Sequence, residues 1–254
     1  MKNSGKSLVL PNWKIVVSIF LKEWSKYVNT PLGYLFAAVF LLLSSFLFFF
    51  GLGEDSFWDR NIASVEQYFY WIPVLYVVFL PSLTMGLWSE EEKSGTSELL
   101  LSLPLQELEI VLGKFFAAWS FLACVLAASL PIPFFVWALG DLDLGVTFSG
   151  YLGCILLGGS YIALGGAISA MTREQISAYV FTLIAVLFFF LLGFQPILRF
   201  FSGELAAVLS FFSLSRHFET FRLGILDAKE VFFFLSFCLM LLKYNAFLIE
   251  KKRR

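Results

Sequence analysis

Long apolar stretches without a charged residue alternate with short charged segments along the chain. These stretches lie at 27–53, 67–89, 115–140, 144–172 and 175–198. Each is longer than the roughly 20 residues that a helix needs to cross a bilayer. A sixth stretch, 231–249, is interrupted by Lys243, which can reach the headgroups from a helix end. The predicted transmembrane helices are 33–53, 68–88, 112–138, 148–170, 176–195 and 230–249.

A helix is the open structure that satisfies its own backbone hydrogen bonds in lipid, so the pattern predicts an all-α polytopic membrane protein with six spans. The fourth span contains many small residues, among them Gly159, Ala163 and Ala167 at four-residue spacing. Small residues allow helices to approach closely. We therefore expect the fourth span to be buried against other helices.

Residues 10–30 form a predicted amphipathic helix before the first span. Its apolar residues recur every three or four positions and include Trp13, Phe20 and Trp24, while lysines and serines occupy the other side. Such a helix lies in the membrane interface. Amphipathicity alone does not separate a plain tether from a helix that contacts a partner, and both interpretations stay open.

The segment 89–111, between the second and third spans, interrupts the apolar pattern with SEEEKSGTSELLLSLPLQELEIV. Gly95 favours a helix stop, and Thr96 is a good cap residue for a new helix. Glu98 then lies near the positive end of that helix, and Pro104 ends it. The segment predicts a short helix parallel to the membrane. An ordinary solvated loop is the open alternative.

The segment 196–229, between the fifth and sixth spans, is not simply polar. Its apolar part, 205–215, is too short to cross a bilayer. We expect a re-entrant or interfacial helical segment on the outer face.

Composition and charge agree with a membrane protein and predict its orientation. Hydrophobic residues make up 59% of the chain and charged residues 15%, against about 25% in soluble domains. With an inside N-terminus, 13 of the 18 lysines and arginines fall on the inner side. The positive-inside rule therefore places both termini in the cytoplasm.

The sequence lacks the residues that a metal site, an ion-coupled carrier or a membrane protease would require. One histidine and three scattered cysteines do not form a recognisable metal site. No ionisable residue lies near the centre of a predicted span, which argues against an ion-coupled carrier. The glutamates have no intramembrane histidines beside them, which argues against a membrane protease. The sequence SGKS at 4–7 lacks the rest of a phosphate-binding loop and is expected to be a solvated tail. We predict no catalytic residue and no metal in this chain.

The segment 89–111 resembles the first cytoplasmic loop of type 2 ABC transporter permeases. The family pattern has an acidic pair, Gly-Thr, a Glu followed by leucines, a Pro, a Glu and Gly-Lys. The matching residues are Glu90–Glu92, Gly95-Thr96, Glu98-Leu99-Leu100, Pro104, Glu109 and Gly113-Lys114. Gln106 departs from the pattern, since relatives often carry Ser or Thr there. The segment 216–233 is similar to the family's outer segment before its last span, and length and loop resemble the gliding-motility-associated and copper-enzyme-maturation permeases.

The resemblance implies a permease subunit of an ABC exporter in the bacterial cytoplasmic membrane. A cytoplasmic ABC ATPase dimer would hold ATP and Mg, and a second permease, identical or related, would complete the pathway. No cofactor is expected in this chain, and no nucleic acid among its partners. The implied ATPase-docking residues are Glu91, Gly95, Thr96, Glu98, Leu99, Leu100, Pro104 and Glu109. The implied pathway residues are Phe79, Met85, Phe188 and Phe194.

Two other classes stay open at this point. One is a structural or assembly component of an envelope machine without transport activity of its own. The other is a stand-alone carrier, which would need an essential charge inside a span.

Overall fold

The computed structural model describes residues 11–52, 56–60, 62–201 and 203–253. Every regular element within them is a helix, which confirms the predicted all-α membrane fold. The SGKS segment at 4–7 lies outside the described residues. The helices are α1 (Trp13–Asn29), α2 (Pro31–Phe50), α3 (Phe57–Arg60), α4 (Glu66–Thr84), α5 (Gly86–Lys93), α6 (Thr96–Ser102), α7 (Glu107–Ala128), α8 (Pro131–Leu139), α9 (Leu144–Met171), α10 (Gln175–Leu191), α11 (Gln195–Leu198), α12 (Gly203–Phe211), α13 (Leu214–Arg222) and α14 (Ala228–Arg253).

Five helical segments of the described chain are long and apolar enough to cross a membrane. They are Pro31–Phe50, Glu66–Lys93, Glu107–Leu139, Leu144–Met171 and Ala228–Arg253. The predicted fifth span corresponds to α10, an apolar helix of 17 residues. At 1.5 Å per residue α10 is about 26 Å long, slightly less than the hydrocarbon thickness. The count of six spans therefore stays a prediction.

Prolines divide two of these segments into consecutive helices. Pro73 and Pro81 lie inside α4, and the chain passes through Met85 before α5 begins. The third segment breaks between α7 and α8, directly before Pro131. Proline removes a backbone donor and crowds the preceding turn, so bends are expected at both places.

Helix α9 lies at the centre of the bundle, as its small residues predict. In its most apolar window 78% of the residues are buried inside the protein, against 28% for α2 and for α14. A Cβ atom on Gly158 would collide with Leu122 of α7, and one on Gly165 would collide with Thr84 of α4. These glycines let α7 and α4 approach α9 directly.

The bundle has two chemically different ends. At one, which we call the α6 end, Glu109 joins the starts of α1 and α7, and Arg253 at the end of α14 bonds the segment that follows α6. At the other, the α13 end, Arg222 Nη1 bonds Glu66 Oε1 at 2.6 Å. There the Ser149 hydroxyl also donates to the Phe221 carbonyl at 2.7 Å. The predicted outer segment 196–229 forms α11, α12 and α13 at this second end.

Candidate functional site

Helix α6 presents a mixed polar and apolar surface at its end of the bundle. Thr96, Glu98 and Leu99 are exposed, and 71% of the Leu99 side chain is accessible. Leu100 turns inward and packs against the core, so it is only partly accessible. Pro104, just after the helix, is exposed. Of the predicted docking leucines, the structure therefore leaves Leu99 the more available for a partner.

Gly95 separates α5 from α6. Its φ of +70° lies in the left-handed region, which costs other residues free energy but suits glycine. The hydroxyl groups of Ser94 and Thr96 form a hydrogen bond of 2.9 Å across this turn. The predicted stop at Gly95 is confirmed, and α6 begins at Thr96.

The end of α14 holds the other end of α6. Arg253 donates from Nη2 to the Leu103 carbonyl and from Nη1 to the Leu105 carbonyl, both at 2.8 Å. The same Nη1 lies 3.0 Å from Glu107 Oε1. Arg253 thus donates to backbone carbonyls of the turn that joins α6 to α7. From the sequence, the basic residues at the end of α14 are explained only by the positive-inside rule. In the structure one of them, Arg253, also fixes the end of α6.

A buried ionic cluster lies beneath α6 and joins three helices. Lys114 of α7 is 2% exposed, and its Nζ lies 3.0 Å from Glu91 Oε1 of α5 and 3.3 Å from Glu23 Oε1 of α1. The same ammonium donates to the Leu87 carbonyl at 2.7 Å and stands 5.0 Å from the Trp88 ring centroid. We call Glu23, Glu91 and Lys114 the ionic cluster.

Ion pairing with lysines changes the pKa of Glu23 in the ionic cluster. Burial alone raises the pKa of Glu23, but the ammonium groups of Lys114 and Lys26 outweigh it, and the pKa lies below its usual 4.5. Lys26 Nζ is 3.0 Å from Glu23 Oε2. Burial lowers the pKa of Lys26, but the Glu23 carboxylate outweighs it and raises the pKa above 10.5. Both groups are therefore charged at neutral pH.

Glu109 ties the starts of two helices together. Its Oε1 accepts the backbone N–H of Asn12 at 2.8 Å, and its Oε2 accepts the N–H of Gln106 at 3.0 Å. Asn12 is the N-cap of α1 and Gln106 the N-cap of α7. A carboxylate at helix starts satisfies unpaired donors and suits the positive end of each dipole. The Gln106 departure from the family pattern is thus accommodated through Glu109.

Glu91 and Glu109, both predicted docking residues, are buried within the chain. Their exposed fractions are 6% and 2%. Glu91 is engaged by Lys114, and Glu109 by two backbone donors. Contact of either residue with an ATPase stays a prediction. The contacts within the chain give both residues a structural task of holding helices together.

Helix α1 has three faces. Val16, Ile19 and Glu23 face α7, where Ile19 packs so closely on Gly113 that an added Cβ there would lie 2.6 Å from Ile19 Cγ2. Trp13 is 60% exposed and begins a stripe with exposed Val17 and Leu21. The third face carries exposed polar residues such as Lys14, Ser18 and Lys22. One packed, one apolar and one polar face suit a helix seated on the bundle in the membrane interface.

The other two predicted interfacial aromatics connect α1 to α7. Phe20 and Trp24 stack with ring centroids 5.9 Å apart, and both are half-buried. Trp24 meets the edge of Phe121 at 6.3 Å, and Tyr27 stacks on the same ring at 5.1 Å. Helix α1 is thus packed on the bundle and is more than a loose tether.

Two of the four predicted pathway residues line one cavity. It has a volume of about 450 Å³ and lies between α1, α2, α4 and the start of α10. Phe79 and Met85 line it beside Phe36, with Glu90 and Gln175 at its polar side. The part of the wall that the described residues form does not include Phe188 or Phe194, which are 58% and 49% exposed. Of the four predicted pathway residues, the structure therefore brings together only Phe79 and Met85.

Sequence reasoning missed the ion-pair and hydrogen-bond roles of Glu23, Lys114 and Arg253. A signal existed for Glu23, which lies seven positions after Val16 and so on the same helix face. Lys114 appeared in the Gly113-Lys114 motif and as an inner positive charge, and Arg253 appeared only as an inner positive charge. Among the described residues, no group of three or more His, Cys, Asp or Glu side chains could hold a metal ion.

The fold and the site define a multi-pass membrane protein with an exposed helix fixed between two of its spans. Residues 17–247 match the family model described as "ABC-2 family transporter protein", and the chain belongs to this family. The family supplies membrane components of ABC transporters, so this chain is an ABC transporter permease that works with an ABC ATPase. A search of curated proteins finds no match.

Proposed function

We propose that this chain is the permease subunit of a bacterial ABC exporter in the cytoplasmic membrane, with both termini in the cytoplasm. A separate ATPase dimer binds and hydrolyses ATP with Mg, and a second permease completes the pathway. The carrying observation is the geometry of α6. Its exposed Glu98 and Leu99 stand on a helix that Gly95 and Arg253 hold at both ends. The gliding-motility-associated and copper-enzyme-maturation permeases are the subfamilies that we favour.

The coupling path follows from the contacts beneath α6. A partner that pushes α6 also moves the end of α5, because only Ser94 and Gly95 separate the two helices. Helix α5 carries Glu91, which is ion-paired with Lys114 of α7. The ionic cluster thus transmits displacement to α7 and, through Glu23, to α1. In this proposal the exposed face of α6 docks the ATPase and the buried carboxylates transmit its motion.

The cavity at Phe79 and Met85 is the proposed inner part of the cargo pathway. Its wall is apolar at Phe36 and Phe79, while Glu90 and Gln175 supply polar groups at one side. A site with an apolar wall and a polar edge suits an amphipathic or lipid-like cargo. Phe188 and Phe194 could join this pathway only where a second permease faces them.

The docking proposal is tested with Glu98→Arg combined with Leu99→Asp. Both side chains are exposed, so the protein should insert and purify normally, while ATPase recovery in a pull-down should be lost. The matched control is Glu174→Arg with Ile176→Asp, which makes a Glu→Arg and an aliphatic→Asp change at exposed positions at the start of α10. Equal ATPase recovery from both variants would refute docking on α6. Recovery of only envelope structural proteins with the wild-type chain would favour the assembly function instead.

A further inference from the structure

A second cavity, of about 700 Å³, lies at the α13 end, far from α6. It is lined by residues of α11, α12, α13 and the start of α14 and is open to the surface. The wall from α12 includes the small side chains of Ala206, Ala207 and Ser210, which leave space beside Phe211. Neither the ATPase-docking surface nor the Phe79 cavity includes these residues.

Two arginines without ion-pair partners face this cavity. Arg199 and Arg216 both line it, and neither guanidinium has a hydrogen bond or ion pair with any described residue. The one carboxylate in the described lining, Glu230, is already bound to His217 Nδ1. His217 Nε2 in turn donates to the Phe211 carbonyl at 2.7 Å. Among the described lining residues, two exposed guanidinium groups therefore face the cavity without an ion pair.

Part of the cavity lining is apolar. Leu198, Phe201 and Phe211 line it. Directly beside them Phe200 is 87% exposed and Leu205 is 57% exposed. Single exposed apolar residues are ordinary, but a group of them can form a surface for contact with acyl chains. The cavity lining therefore combines guanidinium groups with apolar side chains.

We propose that this cavity binds the phosphate headgroup of an anionic membrane lipid. The phosphate lies between the Arg199 and Arg216 guanidinium groups, and the acyl chains run along Phe201 and Phe211 towards the exposed surface. Arginine suits this ligand because its planar set of donors matches phosphate oxygens, and basic pockets between membrane helices bind lipid headgroups. The apolar side favours a lipid over free phosphate. Because the site involves no ATPase contact, the inference is independent of the proposed transport function.

The test measures binding to the purified full-length chain in an uncharged detergent by calorimetry. The probes are dihexanoyl phosphatidylglycerol, inorganic phosphate, and dihexanoylglycerol, which has the same chains without phosphate. We expect the phospholipid to bind the wild type and each of Arg199→Gln and Arg216→Gln to weaken it about tenfold, the effect of losing one charge-assisted contact. Arg216→Lys should weaken phospholipid binding less than Arg216→Gln does, because lysine keeps the positive charge.

The matched control is Lys229→Gln, which removes one exposed positive charge at the same end but outside the cavity lining. It should leave phospholipid binding unchanged. Equal affinity in the Arg199→Gln/Arg216→Gln double variant and in this control would overturn the proposal. Inorganic phosphate that displaces the phospholipid and binds as tightly would show a free-anion site and overturn the lipid assignment. Dihexanoylglycerol that binds as tightly as the phospholipid would exclude the arginines as the recognition element.

Discussion

Replacing Lys114 with methionine should destabilise the protein strongly, because it leaves two carboxylates buried without their shared partner. The side chains of Glu23 and Glu91 are 4% and 8% exposed. Removal of one member of a buried ion pair costs about 3–5 kcal/mol. Among the described residues, Glu23 keeps Lys26 at 3.0 Å, whereas the remaining cation within ion-pair distance of Glu91 is Lys22 at 3.9 Å. We therefore expect a loss near the lower limit, about 3 kcal/mol.

The charge explanation is tested by a double-mutant cycle. In the Lys114→Met background, Glu91→Gln removes the more isolated charge and should recover more than about 1 kcal/mol of the loss. For a chain of this length, 1 kcal/mol corresponds to roughly 2–4 °C in melting temperature. Lys114→Met should thus melt about 6–12 °C below the wild type. Thermal unfolding of the purified chain in one fixed detergent measures all variants.

The control for the cycle is Lys93→Met. Lys93 pairs with Glu174 at 3.3 Å, but their side chains are 63% and 60% exposed, and exposed pairs contribute little. Its melting temperature should stay close to that of the wild type. The reasoning fails if Lys114→Met also melts with the wild type, or if adding Glu91→Gln recovers nothing. Either result would mean that the ionic cluster does not hold α1, α5 and α7 together.

Three further predictions concern single positions at the α6 end. Gly113→Ala should weaken the packing of α1 by about 1–3 kcal/mol, because the new Cβ would lie 2.6 Å from Ile19 Cγ2. Proteolysis within α1 should become faster, and unchanged cleavage would contradict the close packing. Gly95→Ala should lower the free energy of unfolding by about 1–2 kcal/mol through its φ of +70° alone, since nothing lies within 4 Å of the new Cβ. The Gly95→Asn variant should melt at a higher temperature than Gly95→Ala, because asparagine tolerates a positive φ better. The pKa of Glu23 is lower in the folded protein than its usual 4.5. Its ionised carboxylate therefore stabilises the fold above pH 4.5, and this stabilisation is lost as the pH falls through the pKa of the folded state. Melting curves recorded at falling pH should show this loss in the wild type and a weaker one in Glu23→Gln.

Much of the fold could be predicted from the sequence because lipid imposes simple rules. Charge-free runs identify the helices, and the small residues of α9 predict its central position. Gly95 and Pro104 mark the limits of α6, since each has a backbone property that other residues lack. The length of α10 was less predictable, because an apolar run does not reveal where a helix ends before Gly193.

The candidate site was only partly predictable, because its charges are paired across long distances in sequence. Lys114 lies 91 positions from Glu23, and Arg253 bonds a carbonyl 150 positions away. A charge near a membrane helix end has an ordinary explanation in topology, so composition gives no reason to expect a buried pair. The acidic run Glu90–Glu92 had the same ambiguity. The structure separates it into an exposed Glu90, a buried Glu91 and a Glu92 that meets Lys252 at 3.1 Å.

The ionic cluster has a further consequence for how motion can pass through the protein. Replacing a buried ion pair with apolar residues is often neutral for stability, so we propose that this cluster is kept for the helix arrangement that it specifies. Lys114 must meet both Glu91 and Glu23, and a slide of α5 or α1 along α7 would break one ion pair. The turn at Gly95 joins α6 directly to α5, while Arg253 links the other end of α6 to α14. We therefore propose that a push on α6 moves α1, α5 and α7 together, because the ionic cluster joins these three helices.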